Sequence, residues 1–429
     1  MYRPLNAGEH SFWLYDQVAP LHFVVTAQIT GEFTISQLEQ ALVYLQQRHP
    51  LLRVCVAVNT SRQPWFKEDV AKIPLRVVQR MGEQDWLKEV EQELTQPFDW
   101  SQSPLLRVVV VHSLEVSEII VSTHHSISDG LSSVYLLRDI LQFVGMPDSE
   151  RQILSLRPGY EELILEQAAK IPSLPSPQNS NNEPLPAKIN DSTSTHAEIL
   201  SERTVRLLAW SLSSQETNLL ISRCHQEQTS VHAAICTAFL LAVSQDSGQH
   251  YDLKCLSPID IRRYLAPLIV EDCGYYASVG LTTHSITPNL TLWDIARALK
   301  SQLHPQIALD KIAQRITESQ AFLKTNPSPS QVRQAFNDVY GHDVLVSNLG
   351  RLNIPHQFGN LRLQAIYGPA VATYMKNERF IGVATVNNQM FFTFTYLESE
   401  ILTATALKLQ QAAMLQLNQA VSCQLATHN

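Results

Sequence analysis

Several absences bound what this chain of 429 residues can be. Its six cysteines, Cys55, Cys224, Cys236, Cys255, Cys273 and Cys423, contain no CxxC pair. Neither a zinc site nor a disulfide framework is indicated, and the thiols read as buried groups in a reducing cytoplasm. No apolar run is long enough to span a bilayer. One of the longest, HAAICTAFLLAV at 232–243, falls well short of the roughly 20 residues a spanning helix needs. The opening MYRPLNAGEH is polar and has no apolar core of a secretory leader. Lysines and arginines number 32 against 40 acidic residues, for a net charge of -8, and they form no cluster. Nucleic acid is therefore not an expected partner. No short-period repeat is visible. What remains is 45% hydrophobic and 17% charged, the composition of a compact folded protein. The length exceeds one ordinary core, so two lobes are expected.

The chain divides by composition. Residues 171–196 are rich in Pro, Ser and Asn and poor in apolar residues, and they read as a crossover between lobes. The expected division is a first lobe at 1–170, a linker at 171–200 and a second lobe at 201–429. In the first lobe, strands are expected at 22–30, 51–58, 75–78, 105–112 and 116–123, with helices at 35–48 and 85–94. In the second, Ser213-Ser-Gln-Glu216 is a capping-box pattern that starts a helix. A helix over 230–243, a strand over 251–257, a helix over 292–303 and a strand over 344–350 follow. A hairpin turns at Asn387-Asn388, and a helix over 402–421 closes the chain.

The richest stretch for chemistry is Val121-Ser-Thr-His-His-Ser-Ile-Ser-Asp-Gly130. The preceding VSEIIVST is β-branched, and the following LSSVYLLRDILQFV has helical apolar spacing. The motif thus sits at a strand-to-helix turn, where Gly130 would ease the change of direction. Histidine titrates near neutrality and is the usual general base. Adjacent strand residues face opposite ways, so His124 and His125 should not share one cavity. That argues against a metal-dependent hydrolase built on His124, His125 and Asp129, because metal ligands must converge.

The motif resembles the HHxxxDG signature of the acyltransferases with the chloramphenicol acetyltransferase-like fold. Other segments match in order. Pro4-Leu5, Glu9 and Trp13-Leu14 resemble the start of a condensation-type domain. Arg48-His49-Pro50-Leu51-Leu52-Arg53 is similar to its RHPxLR element, and Pro97-Phe98-Asp99 with Pro104-Leu105-Leu106-Arg107 to its PFD…PLxR element. Pro258-Ile-Asp-Ile-Arg262-Arg263 and Val346-Ser347-Asn348-Leu349-Gly350 are like two second-lobe elements. The resemblance implies an α/β fold with mixed sheets, in which two similar lobes meet at a central channel. It implies His125 as general base, His124 as a structural neighbour, and Asp129 paired with Arg262, with Arg263 as the fallback. Ser347 and Asn348 become candidate oxyanion donors, and capping of a strand end is the equal alternative. Gly130 serves the turn or offers its N–H, and Tyr275 and Tyr276 line the channel or pack.

The implied reaction is acyl transfer from acyl-CoA or an acyl-carrier protein to a hydroxyl acceptor, as in secondary metabolism. The phosphopantetheinyl thioester is a co-substrate, and no further cofactor is expected. Amide formation as a stand-alone condensation enzyme, or a non-catalytic binding module, are the other readings. His124 and Asp129 also satisfy HX4D of membrane glycerolipid acyltransferases, but that class lacks the second-lobe elements. A cytoplasmic monomer with a small-molecule acceptor is expected.

Overall fold

The computed structural model describes residues 2–170, 203–248, 252–265 and 271–422. The expected linker at 171–200, like Cys423, lies outside them. Among the described residues the strands are β1 (Arg3–Pro4), β2 (His22–Thr30), β3 (Val54–Val58), β4 (Pro64–Glu68), β5 (Leu75–Gln79), β6 (Leu106–His112), β7 (Val116–His124), β8 (Val205–Leu212), β9 (Asp252–Asp260), β10 (Ala277–Ser285), β11 (Val344–Arg351), β12 (Gln357–Phe358), β13 (Leu361–Val371), β14 (Phe380–Val386) and β15 (Gln389–Leu397). The helices are α1 (Ala7–Asp16), α2 (Ile35–Arg48), α3 (Asp85–Thr95), α4 (Gly130–Gly145), α5 (Tyr160–Ala168), α6 (Ser214–Gln226), α7 (Val231–Ser247), α8 (Leu292–Leu303), α9 (Leu309–Leu323), α10 (Pro329–Tyr340) and α11 (Thr403–Ser422).

Two six-stranded mixed sheets, each backed by helices, form the two lobes, as expected. The first runs β12-β13-β2-β7-β6-β5, and the second β10-β9-β11-β14-β15-β8. β7 is central in the first sheet and is buried from Ser117 to His124, which suits its β-branched sequence. In the second, α6 carries the expected capping box, with Glu216 N–H donating to Ser213 Oγ and the Glu216 carboxylate accepting from Ser213 N–H. The β14–β15 hairpin turns at Asn387 and Asn388, with φ of 50° and 61° as such a tight turn requires.

Two expectations need correction. The strand expected from Leu51 begins at Val54, because Pro50–Arg53 forms a 3-10 turn. Pro50 fixes φ there, and Leu51 and Leu52 bury into the core from that turn. The second lobe also does not stop at its own sheet. β12 and β13, residues 357–371, belong to the first sheet, where β13 pairs antiparallel with β2. Where β13 crosses β14 the two sheets nearly touch: a Cβ on Gly382 would lie 2.0 Å from the Pro369 carbonyl oxygen.

Candidate active site

β7 ends at His124, level with His22 of β2. The chain then turns tightly, with Ile127 N–H donating to the His124 carbonyl at 3.1 Å. This turn aims His125 into the space between the lobes. Its Nδ1 is 3.1 Å from the Ser128 carbonyl oxygen. A carbonyl only accepts, so the neutral ring carries its proton on Nδ1 and its lone pair on Nε2. Nε2 has no hydrogen-bond partner among the described residues. Phe12 stacks on the ring at 4.4 Å and 12°, while Phe23 and Tyr275 close it in at 4.9 and 5.6 Å. Burial among these rings lowers the His125 pKa to about 4, although the nearby Asp129 charge opposes the shift.

His124 faces the other way, as strand alternation demands. It is fully buried, and its Nδ1 accepts from Ser126 N–H at 3.1 Å. Its Nε2 lies 3.5 Å from Asp16, whose other oxygen accepts from Leu21 N–H at 2.7 Å. The two histidines therefore occupy separate environments. Among the described residues no three His, Cys, Asp or Glu side chains converge as a metal site would require.

Asp129 ties three elements together. One carboxylate oxygen caps α4 by accepting from Ser132 N–H at 2.8 Å and also accepts from Arg262 Nη2 at 2.8 Å. The other accepts from Tyr276 N–H at 2.8 Å. Arg262, 133 positions away, further donates to Asp260 and Ser132 and lies over the Tyr276 ring. Burial alone would lower the Arg262 pKa, but Asp129 and Asp260 more than offset that and raise it. Arg263 is exposed and, among the described residues, donates to Tyr264 alone. Gly130 is the first residue of α4, and its φ is not positive. The expected turn role is thus replaced by a close approach: a Cβ there would sit 2.7 Å from the Leu349 side chain of the second lobe.

A cavity of about 140 Å³ lies over His125, bordered by Asp129, Gly130, Tyr275, Ser347 and mainly apolar side chains. A larger chamber of about 370 Å³ adjoins it across a shared wall of Phe12, Tyr275, Ser278, Phe336 and Tyr340. Ser347 thus borders the same cavity as His125. Asn348 does not; its Oδ1 accepts from Gly350 N–H at 2.8 Å, the strand-capping alternative. Tyr275 lines both spaces, whereas Tyr276 serves Asp129 and Arg262.

Three residues at the site carried no recognised signal in the sequence. Phe12, on α1, stacks on His125. Arg315, on α9, lines the larger chamber. His342 lines the cavity with its Nδ1 donating to the Tyr340 carbonyl at 2.7 Å, the same tautomer as His125. The Gly341-His342-Asp343 turn before β11 was the one local hint.

A family profile described as the condensation domain matches residues 19–263, more than half of the chain. The chain belongs to the condensation-domain family. A second profile, described as the C-terminus of phthiocerol/phthiodiolone dimycocerosyl transferase, matches residues 201–398. This condensation-family chain is 28% identical over 151 residues to bacitracin synthase 3 of Bacillus licheniformis. That match covers 34% of the chain and 2% of the relative, so the chain spans a small fraction of the curated relatives it matches. Its fold is that of polyketide synthase associated protein 5 from Mycobacterium tuberculosis, at a TM-score of 0.65, 16% identity and 98% coverage of both chains. It is also that of a trichothecene 15-O-acetyltransferase from Fusarium sporotrichioides, at a TM-score of 0.68, 12% identity, and 98% and 94% coverage. No helix among the described residues is long and apolar enough to cross a membrane.

Proposed function

We propose that this chain transfers an acyl group from a thioester to a hydroxyl, with His125 as general base and no covalent acyl-enzyme. The observation that carries this reading is the orientation of His125. Its proton is pinned on Nδ1 and its lone pair is free in a mainly apolar cavity. The acceptor oxygen attacks the thioester carbonyl as Nε2 takes its proton. Collapse of the tetrahedral adduct expels a thiolate, which recovers that proton from Nε2 and leaves as thiol. A base with a pKa near 4 is always ready at neutral pH but pulls weakly. The growing charge of the adduct supplies what is missing, because an imidazolium beside an oxyanion in a dry cavity is stabilised. The Ser347 hydroxyl and the N–H groups at the start of α4, beside Gly130, are the candidate donors to that oxyanion. Asn348 is occupied in its turn and takes no part.

Acyl-CoA or an acyl-carrier protein brings the thioester, and the protein needs no other cofactor. It works as a cytoplasmic monomer on a small-molecule acceptor. The hydroxyl is supported by the likeness to the trichothecene 15-O-acetyltransferase. The condensation-domain match supports a second reading, amide formation with an amine acceptor. A mass-spectrometric screen of acyl-CoA and acyl-carrier donors against alcohols and amines separates the two, with His125→Ala as control. Ester formation that vanishes in the variant supports the main reading, and equal activity in the variant sinks it.

A further inference from the structure

The larger chamber beside His125 holds a cation with no carboxylate in contact with it among the described residues. Arg315 is half-buried on α9. Its Nε and Nη2 donate to the Ser278 hydroxyl at 3.2 and 3.1 Å, and Nη2 also donates to the Gln306 carbonyl at 2.6 Å. Nη1 donates to nothing among the described residues. Burial lowers the pKa of Arg315. By contrast, Arg3 has Glu9, Arg48 has Asp139 and Glu271, Arg107 has Glu93, and Arg262 has Asp129 and Asp260. Arg315 has no carboxylate within 4.0 Å among the described residues.

A buried cation without a partner costs stability, and a ligand anion removes that cost. The chamber contains two acids, and neither forms an ion pair with Arg315, although the Glu318 charge acts on it through space. Glu161 is held by Gly8 N–H and by the Gln320 amide, and burial raises its pKa. Glu318 is exposed and accepts from Gln314. Tyr340 and Tyr275 line the chamber within electrostatic range of the guanidinium, so phenol donors accompany it. Tyr275 also packs edge-on against His125. Tyr275 thus borders both the chamber of Arg315 and the cavity over His125.

We propose that the chamber is a carboxylate subsite, and that the acceptor is a hydroxy acid with an apolar or aromatic body. Arg315 holds the carboxylate while the hydroxyl reaches His125. The assignment to the acceptor follows from the chemistry of the pair. An acyl donor has spent its carboxyl group in the thioester and carries its phosphates at the far end of the pantetheine arm, whereas a hydroxy acid keeps a carboxylate on the same small molecule as its hydroxyl. The proposal rests on His125 marking the transfer site, and its test does not use transfer.

The probes are para-hydroxyphenylpropanoate, hydroxyhexanoate and hydroxydodecanoate, each with its primary amide, measured by titration calorimetry on the full chain. At least one acid should bind roughly ten- to a hundredfold tighter than its amide, the range of a charge-assisted hydrogen bond. Arg315→Gln should abolish the preference, Arg315→Lys should keep part of it, and Glu318→Gln should leave it intact. His125→Ala should also retain it, which separates this subsite from the catalytic assignment. If no acid outbinds its amide, or if the preference survives Arg315→Gln, the subsite is refuted. Should Arg315→Gln fail to fold, an undiminished preference in Arg315→Lys refutes it instead. Acid preference without transfer from any donor would instead overturn the acyltransferase reading alone.

Discussion

Replacing His125 with Ala removes the basic lone pair that the end of β7 directs into the cavity. General bases contribute about a hundred- to ten-thousandfold, so kcat/KM should fall by that order with the fold intact. Circular dichroism of the same sample checks the fold. The neutral ring is the working form, and burial places its protonation near pH 4. Activity should therefore hold as pH drops from 7 to 5 and fall only near 4, reversibly; a limb near 6.5 would contradict this. Asp129 acts differently, through position. Its loss uncaps α4, leaves the Tyr276 N–H without its acceptor and takes from Arg262 the buried one of its two carboxylates. Asp129→Ala should cost about 3–5 kcal/mol, as breaking a buried pair does, read as a lower urea midpoint together with lower activity. His125, Asp129 and Arg262 were legible because each sits in a compact run of chemically distinctive residues. Phe12, Arg315 and His342 were not, since an aromatic or charged side chain on a helix or turn looks ordinary until the fold turns it inward.

Strong elements announced themselves through burial. β7 and β15 are buried along nearly their whole length, and their β-branched and aromatic runs say so. α10 was not among the expected elements, although Val332, Ala335, Phe336, Val339 and Tyr340 recur at helical spacing; of these only Val332 is buried. That helix lines the chamber instead of the core. β10 is an edge strand with alternating exposure and polar residues, which blurs its pattern. Contact between elements also fixes certain glycines. At Gly382 an added methyl meets backbone, the Pro369 oxygen at 2.0 Å, and backbone cannot swing aside. Gly382→Ala should cost about 3 kcal/mol or more, the upper range of overpacking. Gly248, at φ +62° with nothing within 4 Å, is the contrast. Gly248→Ala should cost only about 1 kcal/mol of left-handed backbone strain. Equal midpoints for the two variants in urea would contradict the packing argument.

Across the whole molecule, buried His22 and half-buried His10, His125 and His232 have pKa values lowered by desolvation to about 4, so they are neutral. The unfolded chain takes up these protons near 6.5 and so binds them first. Stability should be full above pH 6.5 and drain away as pH falls toward 4. Glu378 works in the opposite sense. Burial raises it to about 7, so its contribution is present below 4.5 and lost as pH rises through 7. Glu118 and Glu161 act as Glu378 does, but lowered His112, His284 and His342 and lowered Asp16 and Asp139 join the four histidines, so urea midpoints measured from pH 7 to 4 should decline. At this scale the two-lobe plan was legible from length and the composition break, but not the partner of β2. β13 joins β2 across contacts such as Gln364 to Thr30, 334 positions apart, and local pattern carries no trace of so distant a pairing. The order of synthesis makes this pairing a matter of time. At ribosome speeds, roughly ten to fifty seconds separate the emergence of β7 from that of β13. Throughout that interval the nascent first sheet ends at β2, an open edge able to pair with a neighbouring chain. The first lobe is thus encoded early and finished late, and the growing protein needs shielding on the ribosome until residue 371 has emerged.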